Sequence, residues 1–208
     1  MTEEKPVVYV VDDDPSVRKA LDRSLSSAGH EAKTFASAAE FLDFTCPDTP
    51  GCLILDIKMP GLNGLELQDR LAEKNFTFPI IFITAHGTVP ASVKAFKAGA
   101  MDFLQKPFKD RELLNAVSRG IEKHSRLRKE HKKMEILRAR LETLTPRERE
   151  VFELVASGML NKQVAFDLRI TERTIKAHRA RVMEKMGAQS LADLVRFAEK
   201  LNIRSSTS

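Results

Sequence analysis

The first 120 residues repeat one pattern five times: a short β-rich run, then a segment with helical spacing and recognisable caps. The runs are Val7–Val11, Glu31–Phe35, Cys52–Leu55, Ile80–Thr84 and Met101–Gln105. Asp14-Pro15 predicts an N-cap and first helical residue, and that helix stops at Gly29. Ser37 with Glu40, and Asn63 with Glu66, have capping-box spacing. A fourth helix is predicted over Val89–Ala98, closed by Gly99, and a fifth from about Asp110. Strand and helix in strict alternation predict an α/β fold, a five-stranded parallel sheet covered on both faces. The nearly all-apolar Val-Val-Tyr-Val-Val and Ile-Ile-Phe-Ile fit central strands buried on both sides.

Charge divides the chain. Overall it carries 34 Lys+Arg against 29 Asp+Glu, a net of +5. Residues 1 to 120 hold 14 basic and 17 acidic side chains, a net of −3, and the remainder holds 20 and 12, a net of +8. Such asymmetry pairs an acidic module with one that meets a polyanion. At 42% hydrophobic and 30% charged residues, the composition is that of a globular protein. No apolar run approaches the roughly 20 residues of a membrane helix, and positions 1 to 25 lack a signal-peptide pattern. Cys46 and Cys52 alone exclude a disulfide scaffold, and with no further Cys or clustered His beside them they give a zinc site little support. Two free thiols in a reducing cytoplasm are expected, with no membrane partner.

In a parallel sheet, ligands bind beyond the carboxyl ends of the strands. Strand 1 runs into Asp12-Asp13-Asp14, strand 3 into Asp56, strand 4 into Thr84 and strand 5 into Lys106-Pro107. Taken singly, Asp12 to Asp14 read as loop and capping residues. Gathered on one rim with a hydroxyl and an ammonium, they read as a site. Crowded carboxylates repel, and a hard cation such as Mg2+ relieves them while leaving positions for a phosphoryl oxygen. An Asp can itself be the nucleophile that forms an aspartyl-phosphate.

Val-Val-Asp12-Asp13-Asp14, Leu-Asp56-Ile-Lys-Met-Pro-Gly61, Ile-Thr84-Ala and Phe103-Leu-Gln-Lys106-Pro-Phe resemble, in order and spacing, the receiver domain of two-component response regulators. The resemblance implies a flavodoxin-like, doubly wound sheet of order 2-1-3-4-5. It implies that Asp56 accepts a phosphoryl group from a sensor histidine kinase, with Thr84 and Lys106 contacting that group. Mg2+ would be held by Asp13, Asp56 and the backbone carbonyl of Lys58, with Asp12 acting directly or through water. Phe103 stands at the family's switch aromatic, and the Lys106-Pro107 bond is cis in the family. Haloacid-dehalogenase-type phosphatases also use a nucleophilic Asp with Mg2+. They need a second Asp two residues later, where this chain has Lys58. A slowly self-dephosphorylating switch is expected, not a turnover enzyme.

From Asp110 to Leu144 a single Gly and no Pro interrupt the chain, and a helix over 110–141 would span roughly 48 Å. Leu127, Met134 and Leu141 repeat at seven, with Leu137 and Leu144 adding further apolar positions. That pattern suits a short heptad or a solvated connector with one stripe packed on a domain. Beyond it four helices are predicted, capped by Thr145, Asn161, Thr171 and Ser190 and carrying most of the excess positive charge. The short link Leu168-Arg-Ile-Thr171 fits a helix-turn-helix. On the third of these helices, Ile175, Val182 and Met186 share one face, edged by His178 and Arg179. The opposite arc holds Arg173, Lys176, Ala177, Ala180 and Arg181. Small alanines between long cations permit close approach to a groove.

Leu144-Thr-Pro-Arg-Glu-Arg-Glu150, Asn161-Lys162-Gln-Val-Ala165 and Thr174-Ile-Lys176-Ala-His178-Arg resemble the LuxR-type helix-turn-helix. With the receiver, this is similar to the NarL/FixJ class, nearest the FixJ and StyR group. The resemblance implies a receiver over 5–122, a helical linker over 123–142 and a DNA-binding domain over 143–203. It places Lys176, Ala177 and Ala180 near the major groove, with Arg173, Arg179 and Arg181 as neighbouring readers and His178 as a hydrogen-bonded edge residue. The function expected is a phosphorylation-activated transcriptional regulator. It would dimerise through its receiver, bind a two-fold operator in double-stranded DNA with helix 171–186, and act on RNA polymerase. Masking of the DNA-binding domain by the resting receiver stands beside dimerisation as a mode of control. The competing class is a receiver with an RNA- or protein-binding output.

Overall fold

The computed structural model describes residues 5–74, 76–85, 93 and 95–203. They fall in two compact units, Met1–Arg128 and Lys129–Ser208. In the first unit the strands are β1 (Val7–Val11), β2 (Glu31–Phe35), β3 (Gly51–Asp56), β4 (Ile80–Thr84) and β5 (Asp102–Gln105). They form one sheet in the order β2-β1-β3-β4-β5, every pair parallel, as expected. The helices are α1 (Pro15–Ser27), α2 (Ala38–Asp43), α3 (Gly64–Glu73) and α4 (Asp110–Glu142). The helix expected over Val89–Ala98 lies partly outside the described residues.

The two-residue period of the strands sends alternate side chains into two cores. Val7, Tyr9, Val11, Leu53, Leu55 and Phe82 pack with Phe41 of α2 and Leu67 and Leu71 of α3. Val8, Val10, Ile54, Ile81 and Ile83 pack with Leu21 and Leu25 of α1 and Leu113, Ala116 and Val117 of α4. All five residues of β1 and of β4 are buried, which leaves functional groups only where the strands end.

Caps fix where the helices begin. The Asp14 carboxylate accepts from the Ser16 amide at 2.8 Å, with Pro15 as first helical residue. Asn63 and Glu66 make a reciprocal capping box at the start of α3. Gly64, next in line, is required sterically: a Cβ there would lie 2.2 Å from the carbonyl oxygen of Asp56. Helix α3 is therefore seated directly against the end of β3.

Residues 110–142 form one helix, which runs on through the stretch 123–142. Its first part belongs to the first unit. His124 is buried, and its Nδ1 accepts from the Gly51 amide at 3.0 Å. Burial, then the neighbouring Arg128 charge, pushes His124 down to about 4, in keeping with a neutral ring that accepts at Nδ1. Arg128 pairs with Asp48 at 2.8 Å.

The second unit contains residues 129–142 of α4, then α5 (Pro146–Ala156), α6 (Asn161–Asp167), α7 (Glu172–Met186) and α8 (Leu191–Lys200). Its described residues contain no strand. Leu137 of α4 is buried with Val151, Phe152, Val155, Val164, Ile175, Val182, Met186 and Leu194. Thr145, Thr171 and Ser190 cap their helices as expected. Asn161 does not. The N-cap of α6 is Leu160, whose amide donates to Gln163 Oε1 at 2.8 Å, while Asn161 is the first helical residue and its Oδ1 accepts from Arg179 at 3.0 Å. The Asn side chain is thus drawn into a contact 18 residues away. Arg169 takes φ 52° in the turn between α6 and α7, and Arg147 closes the end of α6 by donating to the Leu168 carbonyl at 2.6 Å.

Gly64→Ala should destabilise the first unit by about 1–3 kcal/mol, the usual cost of forcing extra atoms into packed space. Urea denaturation followed by circular dichroism measures the loss. Unchanged stability would mean that α3 is not locked to β3 as described.

Candidate functional site

Four strand ends and one loop build the site. Asp12 follows β1, and Asp56 is the last residue of β3; both are buried, while Asp13 is exposed. Each of the three can offer a carboxylate oxygen within 4.8 Å of the others. Lys106, one residue past β5, reaches Asp12 Oδ2 at 2.6 Å and Asp56 Oδ1 at 3.5 Å. Asp56 Oδ1 is buried and has no hydrogen-bond partner among the described residues. Thr84 ends β4, fully buried, and its carbonyl accepts from the Lys106 amide at 2.8 Å. The Lys106-Pro107 peptide bond is cis. Phe103 is half-buried opposite Phe82. Lys58 lies in the loop two residues past Asp56, with its side chain exposed.

The electrostatics follow from crowding. Burial, opposed by the Lys106 ammonium and reinforced by the charges of Asp12 and Asp13, pushes the Asp56 carboxyl from an ordinary 3.8 up to about 6. One ammonium faces three carboxylates. An all-oxygen donor set with an orphaned buried oxygen fits a hard divalent cation better than a soft one. These residues therefore fit Mg2+.

Sequence reasoning missed one residue here. Arg18, on the first turn of α1, donates from Nη1 to the carbonyls of Asp12 at 2.7 Å and Asp13 at 2.9 Å. No residue type marks it, because its partners are backbone carbonyls six and five residues earlier, and every residue carries one.

In the second unit, α7 buries Ile175, Val182 and Met186 and exposes Arg173, Lys176, Ala177, Ala180 and Arg181. Lys176 lies 3.7 Å from Glu172 on the same surface. Arg179 differs from these cations, being half-buried and bonded to Asn161. His178 is half-buried as expected, but its Nδ1 is buried without a hydrogen-bond partner, so the expected hydrogen bond is not made at that nitrogen. Lys185 is committed internally, to Glu148 at 2.6 Å and the Thr143 carbonyl at 3.0 Å. That contact, with the Thr145 amide, holds the Glu148 carboxyl down at about 2.

A carboxylate cluster beyond a 2-1-3-4-5 sheet, followed by a helix-turn-helix with a basic exposed arc, defines a receiver joined to a DNA-binding domain. Residues 8–118 match the family model described as response regulator receiver domain, and residues 142–198 match bacterial regulatory proteins of the luxR family. The chain belongs to the response regulators, in the NarL/FixJ class of transcriptional regulators. Nodulation protein W of Bradyrhizobium diazoefficiens is 49% identical over 199 residues, 96% of this chain and 88% of that protein. Transcriptional regulatory protein FixJ of Rhizobium meliloti is 43% identical over 191 residues, 92% of this chain and 94% of that protein. Among solved structures, a low-resolution structure of response regulator StyR matches with a TM-score of 0.86 and 45% identity, covering 94% of this chain and 99% of that one. Members of this family are regulators and not typically enzymes, and receiver domains bind Mg2+ through acidic residues. Among the described residues, no helix is long and apolar enough to cross a membrane.

A buried acid whose folded pKa lies above its unfolded value is destabilising when ionised. That penalty is absent below about pH 4, grows as pH rises through about 6, and is complete above it. Asp56→Asn should therefore raise the melting temperature of the receiver in EDTA at pH 7.5, with the gain fading at pH 4.5. A thermal scan at the two pH values checks this, and a gain independent of pH would contradict the assignment.

Proposed function

We propose that this protein is a phosphorylation-activated DNA-binding regulator with Asp56 as its phosphoacceptor. The observation that carries this reading is the buried Asp56 oxygen that accepts no hydrogen bond from the described residues, 3.5 Å from the Lys106 ammonium and grouped with Asp12 and Asp13. In the reaction, an Asp56 oxygen attacks the phosphorus of a sensor kinase phosphohistidine. The P–N bond breaks, its electron pair passes to the imidazole nitrogen, and that nitrogen takes up a proton. Asp13, Asp56 and the Lys58 carbonyl would hold Mg2+, with Asp12 beside them, and the ion would offset charge on the phosphoryl oxygens. Lys106 and the Thr84 hydroxyl would contact the same group, and Phe103 would turn inward as Thr84 is drawn to it.

The domain limits proposed are 5–122 for the receiver, 123–142 for the connecting stretch and 143–203 for the DNA-binding domain. Phosphorylation would favour a homodimer through the receiver face that includes β5; Val93 and Phe96, which precede β5 in the chain, expose large apolar side chains. Two copies would set two α7 helices on a two-fold operator. Lys176, Ala177 and Ala180 would approach base edges, with Arg173, Arg179 and Arg181 on bases or phosphates. Partners would be a sensor histidine kinase, double-stranded DNA and RNA polymerase, in the cytoplasm.

Acetyl phosphate with Mg2+ should label the wild-type chain and not Asp56→Asn; label retained in that variant would move the acceptor elsewhere. Phosphorylation should tighten binding to operator duplex in a gel-shift assay. Lys176→Ala should weaken that binding by about 1–3 kcal/mol if the lysine reads a base. Affinity for single-stranded RNA but not for duplex DNA would overturn the DNA reading.

A further inference from the structure

The acidic loop that would supply the cation ligands is pinned from three directions. The Asp12 carboxylate is fixed through Oδ2 by Lys106 at 2.6 Å and through Oδ1 by the Asp14 amide at 2.9 Å. Asp13 is different. Its carboxylate is exposed and makes no hydrogen bond to the described residues, so its direction depends on the backbone that carries it. That backbone is held by Arg18, whose single Nη1 donates to the carbonyls of both Asp12 and Asp13 at 2.7 and 2.9 Å. Arg18 is half-buried on α1, and α1 is itself anchored by Leu21 and Leu25 in the core and by the Asp14 cap.

The chemistry of the contact matters. Lys106 neutralises the carboxylates directly, and so competes with an incoming cation. Arg18 spends its donors on carbonyl oxygens and leaves the Asp13 carboxylate open. Directing both carbonyls toward the guanidinium fixes two successive peptide planes, and with them the side chains that leave the loop. An exposed carboxylate on a loose loop would first have to be ordered by the cation, at an entropic cost for each residue fixed.

We propose that Arg18 is a positioning residue for divalent-cation capture: it holds the loop so that the Asp13 carboxylate faces Asp56 before the cation arrives. This rests on the reading of Asp12, Asp13 and Asp56 as a cation-binding phosphoacceptor cluster. Outer partners of metal ligands typically set affinity over about a tenfold range or more. Arg18→Met keeps most of the apolar stem and removes the donors, while Arg18→Lys restores one charged donor on a shorter reach.

Isothermal titration of the full chain with MgCl2 should show about tenfold weaker binding for Arg18→Met, with part of the loss recovered in Arg18→Lys. The Mg2+ concentration for half-maximal acetyl phosphate labelling should rise by a similar factor, and the rate at saturating Mg2+ should stay within about twofold of wild type. Amide hydrogen exchange at residues 12–14 should speed up in Arg18→Met without Mg2+. Unchanged Mg2+ affinity in Arg18→Met overturns the proposal. So does a lowered denaturation midpoint with normal Mg2+ half-saturation of the folded protein, which marks a structural role only. Failure of the wild-type chain to bind Mg2+ at millimolar concentration would instead overturn the reading of the cluster itself.

Discussion

The contact between Lys106 and Asp12 at 2.6 Å is the constraint around which the first unit is organised. Two carboxylates about 5 Å apart repel by about 3 kcal/mol at an effective dielectric near 20, and this rim has three of them. A single ammonium cannot balance that set. The sheet holds them together because β1 and β3 are neighbours, in register and buried along their length, so their ends cannot separate. Gly64 then seats α3 against the Asp56 carbonyl, and the cis Lys106-Pro107 link carries the chain away from β5. The site stores unfavourable charge that a hard divalent cation can relieve.

Charge in the second unit is divided between scaffold and surface. Arg140 donates to the Met186 carbonyl, Arg147 to the Leu168 carbonyl, and Lys185 to Glu148 and Thr143. These cations satisfy helix ends that would otherwise leave carbonyls unpaired. Arg173, Lys176 and Arg181 stay exposed along one side of α7. A net of +8 after residue 120 therefore overstates the charge available to a polyanion, while the exposed arc concentrates what remains. The alanines between those cations leave the helix narrow there, so the surface is defined by steric relief as much as by charge.

Local signals were legible in the sequence, and contacts between distant segments were not. Asp14, Ser37, Asn63, Thr145, Thr171 and Ser190 all cap the helices expected of them, because a cap bonds within three residues of itself. Asn161 had the same local credentials and is instead held by Arg179, which leaves Leu160 at the cap. His124 sat in what read as a charged connector, yet it is buried through a bond to Gly51, 73 residues away. Arg18 is a nearer case: the carbonyls of Asp12 and Asp13 that it binds lie only six and five residues back, but a backbone carbonyl has no sequence signature. The strand ends that gather Asp12, Asp56, Thr84 and Lys106 could be anticipated because a parallel sheet delivers all its carboxyl ends to one rim. The side chains that steady that rim come from helices, where periodicity specifies a face and leaves the partner open.

Helix α4 shows how one pattern can arise from two causes. Leu127, Met134 and Leu141 repeat at seven, the spacing of a coiled-coil seam. In the structure they do not share one environment. Leu127 is 40% exposed and falls in the first unit, whereas Leu141 packs against the core of the second, beside buried Leu137. Upstream, Leu113, Ala116, Val117 and His124 are buried at spacings of three, four and seven, which is what a helix lying on a sheet demands. Ile136, on the other side of the stripe, is 55% exposed. The repeat is therefore not one seam: Leu127 is exposed, and Leu141 is held by the core of the second unit. A heptad of this length does not by itself identify a buried face; only the packing around each position decides which of its members is covered.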